Sequence, residues 1–117
     1  MTEPTRIFHN PRCSKSRQTL ELLVERGLEP EIIRYLETPP TAQELRQILS
    51  VLGMEPRQLM RKGEQEYRDQ NLDNNELSDQ ELIRAMVATP KLIERPIVIR
   101  GDKAALGRPP ENVLTLF

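Results

Sequence analysis

Between Thr5 and Leu36 the chain reads as strand, helix, strand. Two strands joined through a helix within about thirty residues form a βαβ unit, with the strands parallel and the crossover right-handed. Thr5 to Phe8 carries Ile7 and Phe8 and reads as a brief buried strand, which Pro11 prevents from continuing. From Ser14 onward Leu20, Leu23 and Val24 recur at helical spacing, and Gly27 after Arg26 marks a left-handed helix stop. Glu31 to Leu36 is rich enough in β-branched and aromatic residues for the second strand.

The middle of the chain is helical. Thr41-Ala42-Gln43-Glu44 is a capping box opening an amphipathic helix through Leu45, Ile48, Leu49 and Leu52, stopped at Gly53. Pro56 suits the first turn of a short helix running through Leu59 to Arg61. Residues 64–75 read as a polar loop with a helical turn. Ser78-Asp79-Gln80-Glu81 is a second capping box, with Leu82, Ile83, Met86 and Val87 inward and Thr89-Pro90 as the stop. Pro96 to Arg100, the turn Gly101-Asp102 and Lys103 to Gly107 form a hairpin whose first strand is apolar enough to be internal. Pro109-Pro110-Glu111 opens a last short helix. The order βαβ, helical middle, ββα predicts a thioredoxin-like α/β fold. It comprises a mixed four-stranded sheet in one domain over residues 1–117, with a helical insertion at about 41–93. Ligands of such sheets gather at the carboxyl ends of the strands.

Composition narrows the function. Lys and Arg number 17 against 18 Asp and Glu, so no bulk attraction to nucleic acid or membrane is expected. Two Tyr, two Phe and no Trp are poor material for stacking on bases. No apolar run suits a signal peptide or a bilayer span. The single cysteine cannot close an internal disulfide, which suits a reducing cytoplasm. Any redox cycle through it must take its second thiol from another molecule.

That cysteine lies in Phe8-His9-Asn10-Pro11-Arg12-Cys13-Ser14-Lys15-Ser16-Arg17, where strand gives way to helix. A lone cysteine is most often a small buried hydrophobe. Dense charge and a helix N-terminus instead favour a reactive thiolate beside an oxyanion site. Cys13 to Ser16 has C-x-x-C spacing with serine in the second place, leaving a nucleophile that forms adducts or mixed disulfides only. His9 either polarises Cys13 or fixes the loop by hydrogen bonds; one His and one Cys are too few for a zinc site. Arg61 after Leu59-Met60, Arg95 before Pro96, and Arg108 within Gly107-Arg108-Pro109 carry forks suited to a tetrahedral oxyanion. Their spacing does not establish that they converge.

The residues 8–17, Tyr35-Leu36-Glu37-Thr38-Pro39-Pro40, Leu59-Met60-Arg61-Lys62, Glu94-Arg95-Pro96-Ile97-Val98 and Gly107-Arg108-Pro109 resemble, in order, the glutaredoxin-coupled arsenate reductases, in their short chromosomal form. The resemblance implies that Cys13 attacks arsenate and that Arg61, Arg95 and Arg108 hold the oxyanion and the arsenic adduct; Ser16 is a further expected substrate contact. It also implies that His9 helps keep the cysteine ionised and that the Arg95-Pro96 bond is cis. Glutathione is then the co-substrate and glutaredoxin the partner of a cytoplasmic monomer that needs no bound cofactor or metal. Arg12 and Ser14-Lys15 depart from the family's small residue before the cysteine and Gly-Thr after it. Three other readings compete: a reductase of another oxyanion, a glutathione-dependent thiol transferase, and a regulator resembling the Spx-type proteins that bind RNA polymerase. Ser16 and the Gly107-Arg108-Pro109 element count against the last.

Overall fold

The computed structural model describes residues 4–117 and divides into two compact units. One comprises the chain up to Thr38 together with Arg95–Phe117; the other is Pro39–Glu94, against the 41–93 expected for the insertion.

The first unit is built on a four-stranded sheet of β1 (Thr5–Phe8), β2 (Glu31–Ile33), β3 (Ile97–Arg100) and β4 (Lys103–Leu106), in the order β2-β1-β3-β4. β1 runs parallel to β2, as the βαβ reading requires, and antiparallel to β3, which pairs antiparallel with β4. β3 is internal and fully apolar up to Arg100, and Gly101 takes the positive φ of 58° that its tight turn demands. Helix α1 (Ser14–Glu25) is the crossover, ended by Gly27 at φ 78°. A 3₁₀ helix over Pro110–Leu116 follows β4 where a short helix was expected. Ile7, Leu23, Val98, Val113 and Leu116 pack as the core. Truncating one such aliphatic to Ala costs about 2–5 kcal/mol.

Two features depart from the sequence reading. β2 ends at Ile33 rather than Leu36, because the Arg34 carbonyl accepts from the N–H groups of Glu37 (2.9 Å) and Thr38 (2.8 Å) and bends the chain. Tyr35 is turned inward by that bend, its ring 6.4 Å from that of Phe8. On α1 the buried residues are Ser16, Thr19 and Leu23, whereas Val24 is exposed. Of the three apolar residues at helical spacing, Leu23 is in the core and Leu20 packs against it.

The second unit holds α2 (Ala42–Leu52), α3 (Pro56–Leu59), α4 (Gln65–Asp69), α5 (Asp79–Ala88) and a 3₁₀ turn at Pro90–Leu92. Both expected capping boxes are formed, Thr41 with Glu44 and Ser78 with Glu81. α3 stops at Leu59, short of the expected Arg61, because Met60 is extended and bridges Ile93. Arg61 N–H then donates to the Leu92 carbonyl at 2.7 Å. Val87 is only partly buried. No helix among the described residues is long and apolar enough to cross a membrane.

Candidate active site

Strand register brings three distant segments to one edge of the sheet. Phe8, last in β1, pairs with Ile33, last in β2, and with Ile97, first in β3; Ile97 also pairs with Leu106, last in β4. The residues next in line are His9 and the Cys13 loop, Arg95-Pro96, and Gly107-Arg108. The fold therefore sets the Cys13 loop and the Arg95 and Arg108 segments at one sheet edge, which linear spacing does not.

Hydrogen bonds and a tight contact lock these segments together. Gly107 N–H donates to the Pro96 carbonyl at 2.9 Å, and Arg108 Nε donates to the Arg95 carbonyl at 2.8 Å. Gly107 is needed for contact, since a Cβ there would lie 2.5 Å from Thr19 Oγ1 and 2.7 Å from Pro96 Cγ. Thr19 carries no chemical signal in the sequence, and Gly107 was read only as part of the Gly107-Arg108-Pro109 element. Only the three-residue interval between Ser16 and Thr19 hinted at a shared buried face. The Arg95-Pro96 bond is cis, as the resemblance implies, and Arg108-Pro109 is cis as well.

Cys13 is the N-cap residue of α1, in extended conformation and 7% exposed, with no side-chain cap on the helix. Its N–H donates to the Asn10 carbonyl at 2.9 Å, so the loop from Asn10 to Cys13 is a closed turn. Burial pushes the Cys13 thiol up. Against it act the Ser16 N–H, the Ser16 hydroxyl, the Arg95 guanidinium and the Lys15 N–H, which together hold it below its ordinary value. Ser16 Oγ is fully buried and has no hydrogen-bond partner of good geometry in the described structure. A charged sulfur beside it supplies an acceptor.

His9 is buried at the end of β1, its N–H donating to the Ile33 carbonyl at 2.9 Å. Burial, then the charges of Arg34 and Arg17, hold its imidazole below its ordinary value. Both causes disfavour the protonated imidazole. Arg95 is largely buried and Arg108 exposed. Arg61 lies in the other unit, paired with Glu64 at 2.7 Å and Glu94 at 3.7 Å. Among the described residues no three His, Cys, Asp or Glu side chains gather as a metal site.

A thioredoxin-like sheet that presents one activated cysteine at a helix N-terminus defines a thiol oxidoreductase. The profile of the ArsC family matches residues 8–116, and the chain belongs to that family of oxidoreductases. It is 56% identical over 117 residues to the uncharacterized protein YfgD of Escherichia coli K12, covering 99% of this chain and 98% of that one. It is 50% identical over 109 residues to an arsenate reductase of Neisseria meningitidis, covering 92% of this chain and 93% of that one. Among solved structures, an arsenate reductase from Vibrio cholerae superposes over the whole of both chains with a TM-score of 0.97 at 47% identity.

Proposed function

We propose that the protein reduces arsenate to arsenite in the cytoplasm, with glutathione and glutaredoxin as its external thiols. The observation that carries this reading is the setting of Cys13: a buried, activated sulfur under the Arg95 charge, in a chain with no second cysteine. Cys13 thiolate attacks arsenate; a sulfur–arsenic bond forms and one oxygen departs as water. Arg95 and Arg108 balance the oxyanion charge, and Ser16 donates to sulfur or oxyanion. Arg61 is the third arginine the resemblance assigns to the oxyanion. Glutathione sulfur then attacks Cys13 Sγ, and the electron pair of the sulfur–arsenic bond passes to arsenic. Arsenic falls from the pentavalent to the trivalent state and leaves as arsenite. The remaining Cys13–glutathione disulfide is reduced through glutaredoxin, which returns the free thiol.

The test is arsenate-dependent NADPH consumption in a system of glutathione, glutaredoxin and glutathione reductase, with Cys13→Ala as the blank. Consumption that survives in Cys13→Ala, or that never depends on arsenate, refutes the reading. Replacing Arg61, Arg95 or Arg108 separates it from a thiol transferase: activity with arsenate falls while activity with a disulfide substrate stays.

A further inference from the structure

The first turn of α1 is built against its own stability. A helix N-terminus favours acidic side chains and a capping side chain. The other long helices comply: α2 has Glu44 and the Thr41 cap, α5 has Asp79, Glu81 and the Ser78 cap. α1 has neither an acidic residue in its first turn nor a side-chain cap, and places Lys15 there instead, followed by Arg17. Local rules broken without a compensating contact mark functional sites.

Two more cations join them through the fold. Arg12 precedes Cys13 in the loop, its N–H held by Asn10 Oδ1 at 3.0 Å. Arg34 follows Ile33, whose carbonyl ties β2 to His9, so it stands at the same sheet edge as the cysteine loop. Arg17 folds back over that loop, its Nη1 donating to the Pro11 carbonyl at 2.9 Å. The proximity of Arg34 and Arg17 to His9 is also felt in the depressed basicity of the imidazole. Arg12, Arg17 and Arg34 are exposed and Lys15 is half-buried. Among the described residues none of the four forms an ion pair; the salt bridges of Arg61 and Lys91 lie elsewhere in the chain. From Pro4 to Leu20 there is no acidic residue at all.

We infer that Arg12, Lys15, Arg17 and Arg34 form a cationic rim that receives the carboxylates of the reducing thiol, selecting a small acidic peptide thiol such as glutathione over neutral thiols. This inference rests on the reading above that an external thiol attacks Cys13 Sγ. Glutathione carries two carboxylates, and surface cations without an ion-pair partner on the loop, helix turn and sheet edge that flank Cys13 raise the local concentration of such an anion. The oxyanion is bound by other residues, so the rim acts on the second reactant.

The rim is tested without arsenate. Cys13 is converted to its mixed disulfide with 2-thiopyridine, and release of thiopyridone is followed by stopped flow. The incoming thiolate attacks Cys13 Sγ, the new disulfide forms, and the pyridyl sulfur leaves with the electron pair and takes a proton. Rate constants are measured with glutathione and with 2-mercaptoethanol for the natural protein, for Arg34→Gln, and for Arg12→Gln/Lys15→Gln/Arg34→Gln. The ratio of the two thiols cancels any change in the intrinsic reactivity of Cys13. The triple variant is expected to lower the glutathione rate about tenfold relative to mercaptoethanol at low salt, and Arg34→Gln to lower it by less. Added salt is expected to shrink the difference in the natural protein. An unchanged ratio, or equal slowing with both thiols, overturns the rim. Because no oxyanion is present, failure of the arsenate assay leaves this result standing, and the reverse holds equally.

Discussion

Replacing Gly107 with Ala tests how tightly the site edge is closed. The new Cβ meets Thr19 Oγ1 at 2.5 Å, Pro96 Cγ at 2.7 Å and Thr19 Cγ2 at 3.2 Å. Thr19 is fully buried on α1 and Pro96 is buried beside Arg95, so neither neighbour can swing into solvent. The shortest contact must open by nearly an ångström before ordinary van der Waals packing begins. Overpacking of this kind costs about 1–3 kcal/mol, and two hard contacts on different segments place it near the top of that range. Reduced freedom of the unfolded chain returns roughly 0.5 kcal/mol. The expected net loss is therefore about 2 kcal/mol, read as a lower midpoint in urea denaturation at unchanged slope. Arsenate turnover is expected to fall with it, since Gly107 joins the Arg95 and Arg108 segments. Thr19→Ala removes two of the three colliding atoms. In that background the cost of Gly107→Ala is expected to shrink by about 1 kcal/mol or more. A Gly107→Ala protein within about 0.5 kcal/mol of the natural one, a scale typical of unconstrained surface changes, would refute the close-contact argument. So would a cost indifferent to Thr19.

The rate of Cys13 alkylation against pH is expected to show an apparent pKa below about 8.5, the ordinary thiol value. Ser16→Ala is expected to move it upward, and no movement would remove the hydroxyl from the account. The same depression makes folding more favourable at higher pH. Stability of the natural protein relative to Cys13→Ala should grow as pH rises through the folded thiol's pKa, level off above about 8.5, and be lost as pH falls; denaturation across pH checks the sign. His9, also held below its ordinary value, contributes linkage of the same sign in a lower pH window. Stability is expected to decline as pH drops below about 6.5, more steeply than in His9→Gln, and the imidazole proton resonances should titrate below that pH. Lys15→Glu is expected to stabilise α1 by about 0.3–1 kcal/mol through the helix dipole while weakening the preference for glutathione. A destabilised Lys15→Glu protein would contradict the view that the first turn sacrifices stability.

The sequence revealed most where one residue type admits one backbone answer. Gly27, Gly53 and Gly101 each take positive φ at the places where a stop or turn was read. Thr41 and Ser78 form their boxes because cap and partner are three residues apart in the chain. Non-local choices stayed hidden. β2 was read too long because Tyr35 looks like a strand residue until its ring finds Phe8. Ser16 and Thr19 were not seen as the buried face of α1 because hydroxyls score as surface. In the site, Cys13 was legible from its neighbours, whereas the approach of Arg95 and Arg108 depended on the register of Ile97 against both Phe8 and Leu106. Arg34 lies far from Cys13 in the chain, and only the parallel pairing of β1 with β2 brings it to that edge.

The sheet order also governs how the chain acquires its structure as it is made. β1 finds β2 soon after synthesis, through one helix. Its other neighbour, the internal β3, lies beyond the whole of Pro39–Glu94. During translation α2 to α5 therefore leave the ribosome complete while one side of β1 still has unpaired backbone groups. Contacts close in sequence form before distant ones, so the helical stretch is the first part able to mature. The central strand pair, and with it the meeting of Cys13 and Arg95, waits for the last segment of the chain. A chain ended just before Ile97 would lack the strand that pairs with the second side of β1, and with it the assembled reaction centre.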